Sequence, residues 1–551
     1  MERLTPKFIT LMKTYDRKQF QKDVISGLLV AIIALPLSIA LSIASGVTPE
    51  KGLYAAIIGG FIISLLGGSR IQISGPTAAL STIVATIVAT KGFEHLMVAM
   101  IMAGVLLIFM GLFRLGNLIK FIPFTITTGF TAGIACMIFV GQIKDFLGLS
   151  ILEGTPYITI KDKLTAVVES IHTINIPSIA VSILSLGILI YFPKLSKKIP
   201  ASLVAVIVGI ISVHFSNKVF VNHKIFTIGD LYTITSTFPK PQIPGFSVEL
   251  IKNAFPDSIT IALLIAIVSL LSCVVSDSMA NSKHRSNMEL MAQGIGNMVV
   301  ALFGGIPATG AIARTAANVK NGGKTPVSGM VHSIALLFVL LILMPYAALI
   351  PMPTIAAILM LAAYNMSEWR QFAYLIKTAS KSDVFVLIST FIIAITVNLL
   401  AAIEVGILLT SILFMKRMSD VTEIEAWKDL EEENDPDRID LKKVPSHTKV
   451  YEISGPLFFA AADKILEIPL DSKDKCLILR MRSVNAMDAT ALRTLDRLLQ
   501  ECKKRKITMI LSHVNMQPLT VMRRAGFDER VGSAYFCNHI DEALELAESL
   551  Q

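Results

Sequence analysis

The chain has 551 residues, of which 53% are hydrophobic and only 17% are charged. A mean hydropathy of +0.65 and repeated long apolar runs exclude an ordinary soluble protein and are typical of an integral membrane protein. The formal net charge of +9 does not predict a nucleic-acid partner, because excess lysine and arginine in a membrane protein usually marks its cytoplasmic loops.

The N-terminal segment, residues 1–22, is polar and basic and is predicted to be cytoplasmic. Residues 23–418 form the predicted transmembrane transport domain, with about 14 spans in two sets of equal number. The runs of the first set are at about 24–45, 52–67, 76–90, 95–112, 121–141, 177–193 and 200–215. Those of the second are at about 255–279, 288–303, 308–319, 327–344, 352–364, 383–398 and 400–415.

Basic residues in the short loops after even-numbered spans predict the topology. The short loops on the other side have almost no lysine or arginine, whereas these loops carry Arg70, Arg114, Lys120, Lys194, Lys197, Lys198, Lys283, Arg285, Lys320, Lys324, Arg370, Lys377 and Lys381. We therefore predict a multi-pass protein of the cell (inner) membrane with both termini in the cytoplasm. The five cysteines show no metal-binding spacing, so no metal site, disulfide framework or cofactor is predicted.

The third and tenth runs are too short or too interrupted to be comfortable spans, and they occupy corresponding positions in the two halves. The third opens with ISGPTAA at Ile73 and the tenth with IPATGA at Ile306. Paired interrupted segments of this kind point to a transporter site. We predict that the two half-helices direct backbone amides and threonine hydroxyls at one bound anion.

Arg314 follows a Gly-Gly-Ile-Pro break and lies among small residues. A cation at membrane depth costs a few kcal/mol or more unless it faces a partner or a water-filled cavity. We therefore predict that Arg314 binds the anion. The alternative is a structural role, in which Arg314 pairs with a buried carbonyl or extends to the membrane edge.

After residue 418 the composition changes. Residues 419–443 form a predicted acidic linker, and residues 444–551 form a predicted small α/β domain in the cytoplasm. Strand patterns at 448–454, 476–482 and 507–512 alternate with helical patterns at 459–467, 489–504, 516–525 and 538–550.

Three segments carry a resemblance to a known family: GGSRIQISGPTAALSTI (67–83), the run from Ser282 to Ser333, and SGPLFFAAADKIL (454–466). The chain resembles the sulfate permease (SulP) family with its C-terminal STAS domain, and looks most like the bacterial branch that carries four-carbon dicarboxylates. The resemblance implies an all-α membrane domain built as a seven-plus-seven inverted repeat with core and gate, followed by a small α/β STAS domain. It also implies elevator-type movement, a homodimer, and an anion held between the third and tenth helices.

Site residues follow from the same resemblance. Gly75, Pro76, Thr77 and Ala78 match the third-helix motif, and Thr309, Gly310 and Ala311 match the tenth-helix motif. Arg314 matches the family's arginine near the bound anion, and Ser38 matches a pocket-lining segment of the first span.

Two positions depart from patterns found in the family. Many bacterial members have an acidic residue in the eighth span where this chain has Val268, and sodium-coupled bicarbonate members have a threonine where this chain has Ile312. Valine neither carries a proton nor ligates sodium, so sodium coupling and proton coupling through this carboxylate are both disfavoured. The valine is either natural, leaving an exchanger or uniporter, or an introduced substitution.

Thr490 occupies the place of a phosphorylated serine in STAS anti-sigma-factor antagonists. Two interpretations stay open: phosphorylation at a helix N-terminus, with a cytoplasmic regulator at the STAS domain, or simple helix capping near Asp488.

The leading hypothesis is a secondary transporter of small anions in the lipid bilayer, with succinate and fumarate first and sulfate or bicarbonate next. An uncoupled anion channel is the second class, and a membrane scaffold or sensor acting through the STAS domain is the third. No catalytic constellation is found, so no enzyme activity is predicted.

Overall fold

A computed structural model describes residues 4–117, 123–151, 159–196, 199–219, 223–245, 247–426 and 442–550. The chain forms two compact units, Met1–Ile407 and Leu408–Gln551. Each unit is described by itself.

The first unit is helical, as expected where the surrounding lipid offers no hydrogen bonds to the backbone. Its first half contains α1 (Lys7–Leu11), α2 (Arg17–Ala44), α3 (Pro49–Tyr54), α4 (Gly60–Leu66), α5 (Ala78–Lys91), α6 (Phe93–Leu112), α7 (Phe124–Leu147), α8 (Ile160–Glu169), α9 (Ile176–Leu195), α10 (Ala201–Val219) and α11 (Ile228–Leu231). A π-helical segment, Ala55–Gly59, joins α3 to α4.

The second half contains α12 (Val248–Ala280), α13 (Ser286–Leu302), α14 (Ile312–Lys320), α15 (Val327–Ile342), α16 (Met344–Ala347), α17 (Met352–Met366), α18 (Trp369–Thr378), α19 (Lys381–Thr396) and α20 (Leu399–Val421). Helix α20 contains the boundary between the two units.

Each of the predicted apolar runs contains a helix. Among the described residues, eight helical segments are long and apolar enough to cross a membrane, and α5 and α15 are shorter apolar helices. The predicted shortness of the third and tenth segments is confirmed, because α5 has 14 residues and α14 has 9. Neither α5 nor α14 reaches the roughly 20 residues that a spanning helix needs.

Two short strands precede these short helices. Strands β1 (Ser74–Gly75) and β2 (Thr309–Gly310) pair antiparallel, with Ser74 opposite Gly310 and Gly75 opposite Thr309. The sequence predicts helix starts here but not the pairing. Extended backbone in apolar surroundings needs hydrogen-bond partners, and the two segments supply them to each other.

Close helix packing in the first unit depends on small residues. A Cβ on Gly129 of α7 would lie 2.6 Å from the Leu387 carbonyl oxygen, and one on Gly133 would lie 2.6 Å from Ala394 Cβ. These glycines therefore allow α7 to approach α19, as small-xxx-small motifs do in membranes.

The second unit contains a five-stranded sheet of β3 (Glu423–Ala426), β4 (Thr448–Ser454), β5 (Cys476–Ser483), β6 (Thr508–Ser512) and β7 (Phe536–Cys537). The strands lie in that order; β3 is antiparallel to β4, and the other neighbours are parallel. Its helices are α21 (Ala489–Lys504), α22 (Met516–Arg524), α23 (Phe527–Val531) and α24 (Ile540–Ser549).

The central strand β5 is buried on both faces. Leu477 and Leu479 pack in one cluster with Leu495 of α21, whereas Ile478 packs in another with Leu544 of α24. This alternation gives an α/β/α arrangement, which confirms the predicted α/β class.

Several boundaries differ from the predicted ones. The predicted helix at 459–467 is a 3₁₀ helix, Ala462–Glu467. The segment predicted as linker, residues 419–443, contains the end of α20 and strand β3, and its residues 427–441 lie outside the described residues.

Candidate anion-binding site

The β1–β2 pair, the starts of α5 and α14, and the side chain of Arg314 form what we call the crossover site. Arg314 lies in the first turn of α14 and is 1% exposed. Its Nη2 donates a hydrogen bond to Ser38 Oγ at 3.2 Å, while Nε and Nη1 have no partner among the described residues. A buried guanidinium with free donors is suited to bind an anion.

Gly75 keeps the space beside the guanidinium open. A Cβ on Gly75 would collide with Arg314 Nη1 and would also contact Ala56 at 3.4 Å. Any larger residue would therefore push the guanidinium from its position. Pro76, which follows Gly75, is also buried.

Helices α5 and α14 both begin directly after the β1–β2 pair. Thr77 precedes α5 and Ala311 precedes α14, and neither makes a side-chain capping hydrogen bond. The first amides of a helix, such as that of Ala78, lack intrahelical acceptors and carry the positive end of the helix dipole. Two such ends therefore lie at the crossover site, where they favour negative charge.

The predicted donors differ in whether the protein already uses them. Thr77 Oγ1 is buried without a partner among the described residues. In contrast, Thr309 Oγ1 donates to the Ile265 carbonyl at 3.3 Å, and the Ala311 amide donates to the Ile73 carbonyl at 2.9 Å. Gly310 packs against the Gln72 side chain, since a Cβ there would overlap it. The donors left for an anion are thus Thr77 Oγ1, Arg314 and first-turn amides.

A row of polar side chains on α13, which the sequence reasoning missed, supports the crossover site from behind. Glu289, Gln293 and Asn297 are spaced four residues apart and are all buried. Asn297 Nδ2 donates to the Ala308 carbonyl and its Oδ1 accepts from the Ala308 amide, both at 2.8 Å. Polar residues at i, i+4 and i+8 in an apolar run are the sequence signal that identifies this row.

Glu289 holds the approach to β1, which we define as residues 68–73. Its Oε2 accepts from the amides of Gly68 (2.9 Å) and Ser69 (3.1 Å). Its Oε1 accepts from the side-chain amides of Gln72 (2.8 Å) and Gln293 (2.9 Å). All four partners of this buried carboxylate are donors, so Glu289 is held by the protein.

The position of the missing carboxylate is on α12, a helix that packs against β2 and α14. Val268 is half-buried in α12, three residues after Ile265, whose carbonyl accepts from Thr309. Val268 itself packs against the hydrophobic core of the first unit. Ser272, one turn further, is buried and its Oγ has no partner among the described residues. Ile312 is 40% exposed.

Other features of the described residues carry no anion site. They contain no cluster of His, Cys, Asp or Glu that could hold a metal ion. A cavity between α7, α17, α18 and α19 is lined by Phe139, Phe391 and other uncharged residues. It offers no cation to an anion.

Thr490 lies exposed in the first turn of α21. The helix is capped by Asp488, which accepts from the Ala491 amide at 2.8 Å and from the Phe459 amide at 2.8 Å. Thr490 itself makes no capping bond there.

The sequence matches two family profiles. Residues 20–390 match the profile described as the Sulfate permease family, and residues 438–544 match that of the STAS domain. The chain belongs to the sulfate permease family. It is 39% identical to YvdB of Bacillus subtilis (strain 168), over 97% of this chain and 99% of that protein.

Two named transporters are also similar. The bicarbonate transporter BicA of Picosynechococcus sp. is 28% identical over 90% of this chain and 89% of that protein. Sulfate transporter 4.1, chloroplastic, of Arabidopsis thaliana is 27% identical over 97% of this chain and 81% of that protein.

Solved structures share the fold. The transmembrane domain of a cyanobacterial BicA matches with a TM-score of 0.64 and 29% identity, over 73% of this chain and all (100%) of that one. The murine anion transporter Slc26a9 matches with a TM-score of 0.87 and 18% identity, over 99% of this chain and 94% of that one. The chain is therefore a member of a family of multi-pass anion transporters with a C-terminal STAS domain.

Proposed function

We propose that this chain is a secondary transporter that binds one oxyanion or carboxylate group at the crossover site. One observation carries the proposal: Arg314 is buried, yet two of its guanidinium nitrogens have no partner among the described residues. A bound anion would accept from Nε and Nη1, from Thr77 Oγ1 and from the first amides of α5 and α14.

The burial of Arg314 gives the anion its affinity. A guanidinium in low dielectric costs several kcal/mol unless an opposite charge compensates it. Binding of an anion removes that cost and adds charge-assisted hydrogen bonds of about 1.5–3 kcal/mol each. These gains oppose the free-energy cost of association, so both the charge compensation and the hydrogen bonds are needed for binding.

The substrate candidates share one charged group of suitable size. Succinate and fumarate remain the first candidates, from the family resemblance of the sequence. Sulfate and bicarbonate are the second, supported by the names of the Arabidopsis and cyanobacterial relatives. The missing sodium ligands at Val268 and Ile312 disfavour a sodium-coupled bicarbonate transporter.

We further propose elevator-type movement of the helices that carry the crossover site, in a homodimer in the cell membrane with cytoplasmic termini. The hydrogen bonds of Ser26 Oγ to the Asn318 carbonyl (2.9 Å) and of Asn318 Nδ2 to the Ile71 carbonyl (2.8 Å) support such movement. They join α2, α14 and the approach to β1, so these elements would move together. A channel remains the second candidate, because a pore needs no coupled ion.

The deciding experiment is counterflow of radiolabelled succinate, fumarate, sulfate and bicarbonate in proteoliposomes. Arg314→Gln is expected to lower exchange by roughly 100-fold or more, because two charge-assisted hydrogen bonds of about 1.5–3 kcal/mol each are lost. The matched control is Arg370→Gln, since Arg370 is exposed in α18. Unchanged exchange in Arg314→Gln would refute the site, while electrically resolved conductance without saturable exchange would favour the channel.

A further inference from the structure

His332 is a buried titratable side chain that is not among the proposed contacts to the anion. It lies in the second turn of α15 and is 0% exposed. Neither Nδ1 nor Nε2 has a hydrogen-bond partner among the described residues. A buried imidazole without partners costs free energy, so its presence calls for an explanation.

Helix α15 lies against the back of the crossover site. Ser333, next to His332, donates from Oγ to the Ala56 carbonyl at 3.1 Å. Ala56 is also the residue that a Cβ on Gly75 would contact at 3.4 Å. One turn earlier on α15, a Cβ on Gly329 would lie 3.5 Å from the Gln72 carbonyl oxygen. The face of α15 that carries Ser333 and Gly329 therefore packs on Ala56 and on Gln72, which lies two residues before β1.

Arg314 is the cation nearest to this packing along the chain of contacts: Ser333 bonds Ala56, and a Cβ on Gly75 would meet both Ala56 and Arg314 Nη1. The other titratable side chains on the helices packed against α15 lie towards helix ends. They are Arg17, Lys18, Lys22 and Asp23 at the start of α2, Glu50, Lys51 and Tyr54 on α3, and Tyr346 on α16. The buried carboxylate of Glu289 is already held by four donors.

We propose that His332 takes up a proton when a dianion binds at Arg314, and that this proton couples transport to the proton gradient. The inference rests on the proposed function of the crossover site.

The charge balance gives the reason. In the empty site, the Arg314 cation opposes a second cation at His332. A dianion reverses the sign of the local charge, leaving one net negative charge beside a neutral imidazole. Protonation of His332 then neutralises the buried site, and the low dielectric of the surroundings makes this compensation strong.

Linkage makes the effect reciprocal. If a bound dianion favours the proton on His332, then the proton raises dianion affinity by the same factor, which for coupled sites is roughly 5- to 150-fold. Proton coupling thus needs no carboxylate at Val268. A monoanion such as bicarbonate only cancels the Arg314 charge, so it is expected to take up less of a proton.

The first test measures protons taken up on binding. Succinate and sulfate are titrated into the purified full-length protein near pH 6.5, by calorimetry in buffers of different ionisation enthalpy. Proton uptake is expected for the unaltered protein and is lost in His332→Gln, which keeps polarity but does not titrate. The control is His214→Gln, since His214 is exposed on α10. No proton uptake in the unaltered protein would overturn the inference, whether or not His332→Gln folds.

The second test separates this inference from the proposed function. In proteoliposomes, His332→Gln is expected to retain counterflow at equal pH when the anion is saturating, because the linkage acts on affinity. Accumulation driven by an inward proton gradient is expected to fall at least tenfold. Counterflow with an unchanged response to the gradient in His332→Gln would overturn the role of His332 alone. Absence of counterflow for both anions in the unaltered protein would overturn the transport proposal and this inference together.

Discussion

At the scale of single residues, the crossover site depends on space as much as on charge. Arg314 supplies donors, but its position is set by Ser38 on one side and by the absence of a side chain at Gly75 on the other. The guanidinium is the flexible end of a long side chain, so it can move if it is crowded. A change at Gly75 is therefore expected to harm binding more than folding.

Gly75→Ala tests this argument. The added methyl group would displace Arg314 Nη1, and the loss of one charge-assisted hydrogen bond predicts roughly a 10- to 100-fold weaker transport affinity. The measurement is concentration-dependent counterflow, with thermal stability in detergent measured in parallel. Gly187→Ala is the control, because a Cβ on Gly187 meets nothing within 4 Å. Equal affinity in the two variants would show that the guanidinium is not held where the structure places it.

Val268→Glu tests the departure from the family. An ionised carboxylate near Arg314 would compete with the anion, so affinity is expected to fall about tenfold at pH 7.5 and to recover as the carboxylate is protonated at lower pH. Uptake across a range of pH values measures the effect. Val268→Gln has the same size without the charge and is expected to lack the pH dependence. If both variants respond alike, the carboxylate does not reach the site.

At the scale of elements, the crossover site is held by α13. Its polar row binds the approach to β1 through Glu289 and the approach to β2 through Asn297. One helix thus fixes the relative position of two segments that belong to different halves of the sequence. This explains how strands of two residues each keep their register.

Glu289→Gln is expected to destabilise the first unit by about 2 kcal/mol or more. All four partners of Glu289 are donors, so either orientation of the glutamine places an NH₂ group against donors. Thermal unfolding in detergent measures the change, and Glu249→Gln, at an exposed position of α12, is the control. Equal melting temperatures for the two variants would contradict the structural role.

The elements differ in how far the sequence predicts them. Apolar length predicts the helices, and the alternating pattern of the second unit predicts β4 and α21 with the bounds observed. Composition also identifies Arg314, because a cation is conspicuous among apolar residues. The β1–β2 pairing is not predictable in this way, since its partners are far apart in sequence. The hydrogen bond that Thr309 Oγ1 donates to the Ile265 carbonyl is not predictable either, because these residues are also far apart in sequence.

At the scale of the whole molecule, the proposed anion site lies within the first unit. Arg314, Ser38, Thr77 and the α13 row all belong to residues before 408. The second unit has its own sheet and its own hydrophobic clusters. The proposed site therefore uses no residue of the STAS domain.

A chain ending at residue 421 tests whether transport needs the STAS domain. The truncation deletes β3 together with its partner β4, so the remaining chain has no strand that has lost its partner. Counterflow per folded protein is expected to stay within about threefold of the full chain, because every group of the site is retained. A full-length Arg314→Gln protein serves as the inactive control. Loss of exchange in the shortened but folded chain would favour the scaffold or sensor interpretation.

The β1–β2 register also has a consequence for biosynthesis. The Ile73 amide donates to Thr315 Oγ1, a partner 242 residues further along the chain. At a synthesis rate of about 5–20 residues per second, the approach to β1 is made on the order of 10–50 s before its partners. Exposed backbone groups cannot remain unsatisfied in hydrocarbon for that time. We expect the nascent first half to stay in a hydrated or chaperoned environment until α14 is made, and chains arrested before residue 309 to be recognised as incomplete.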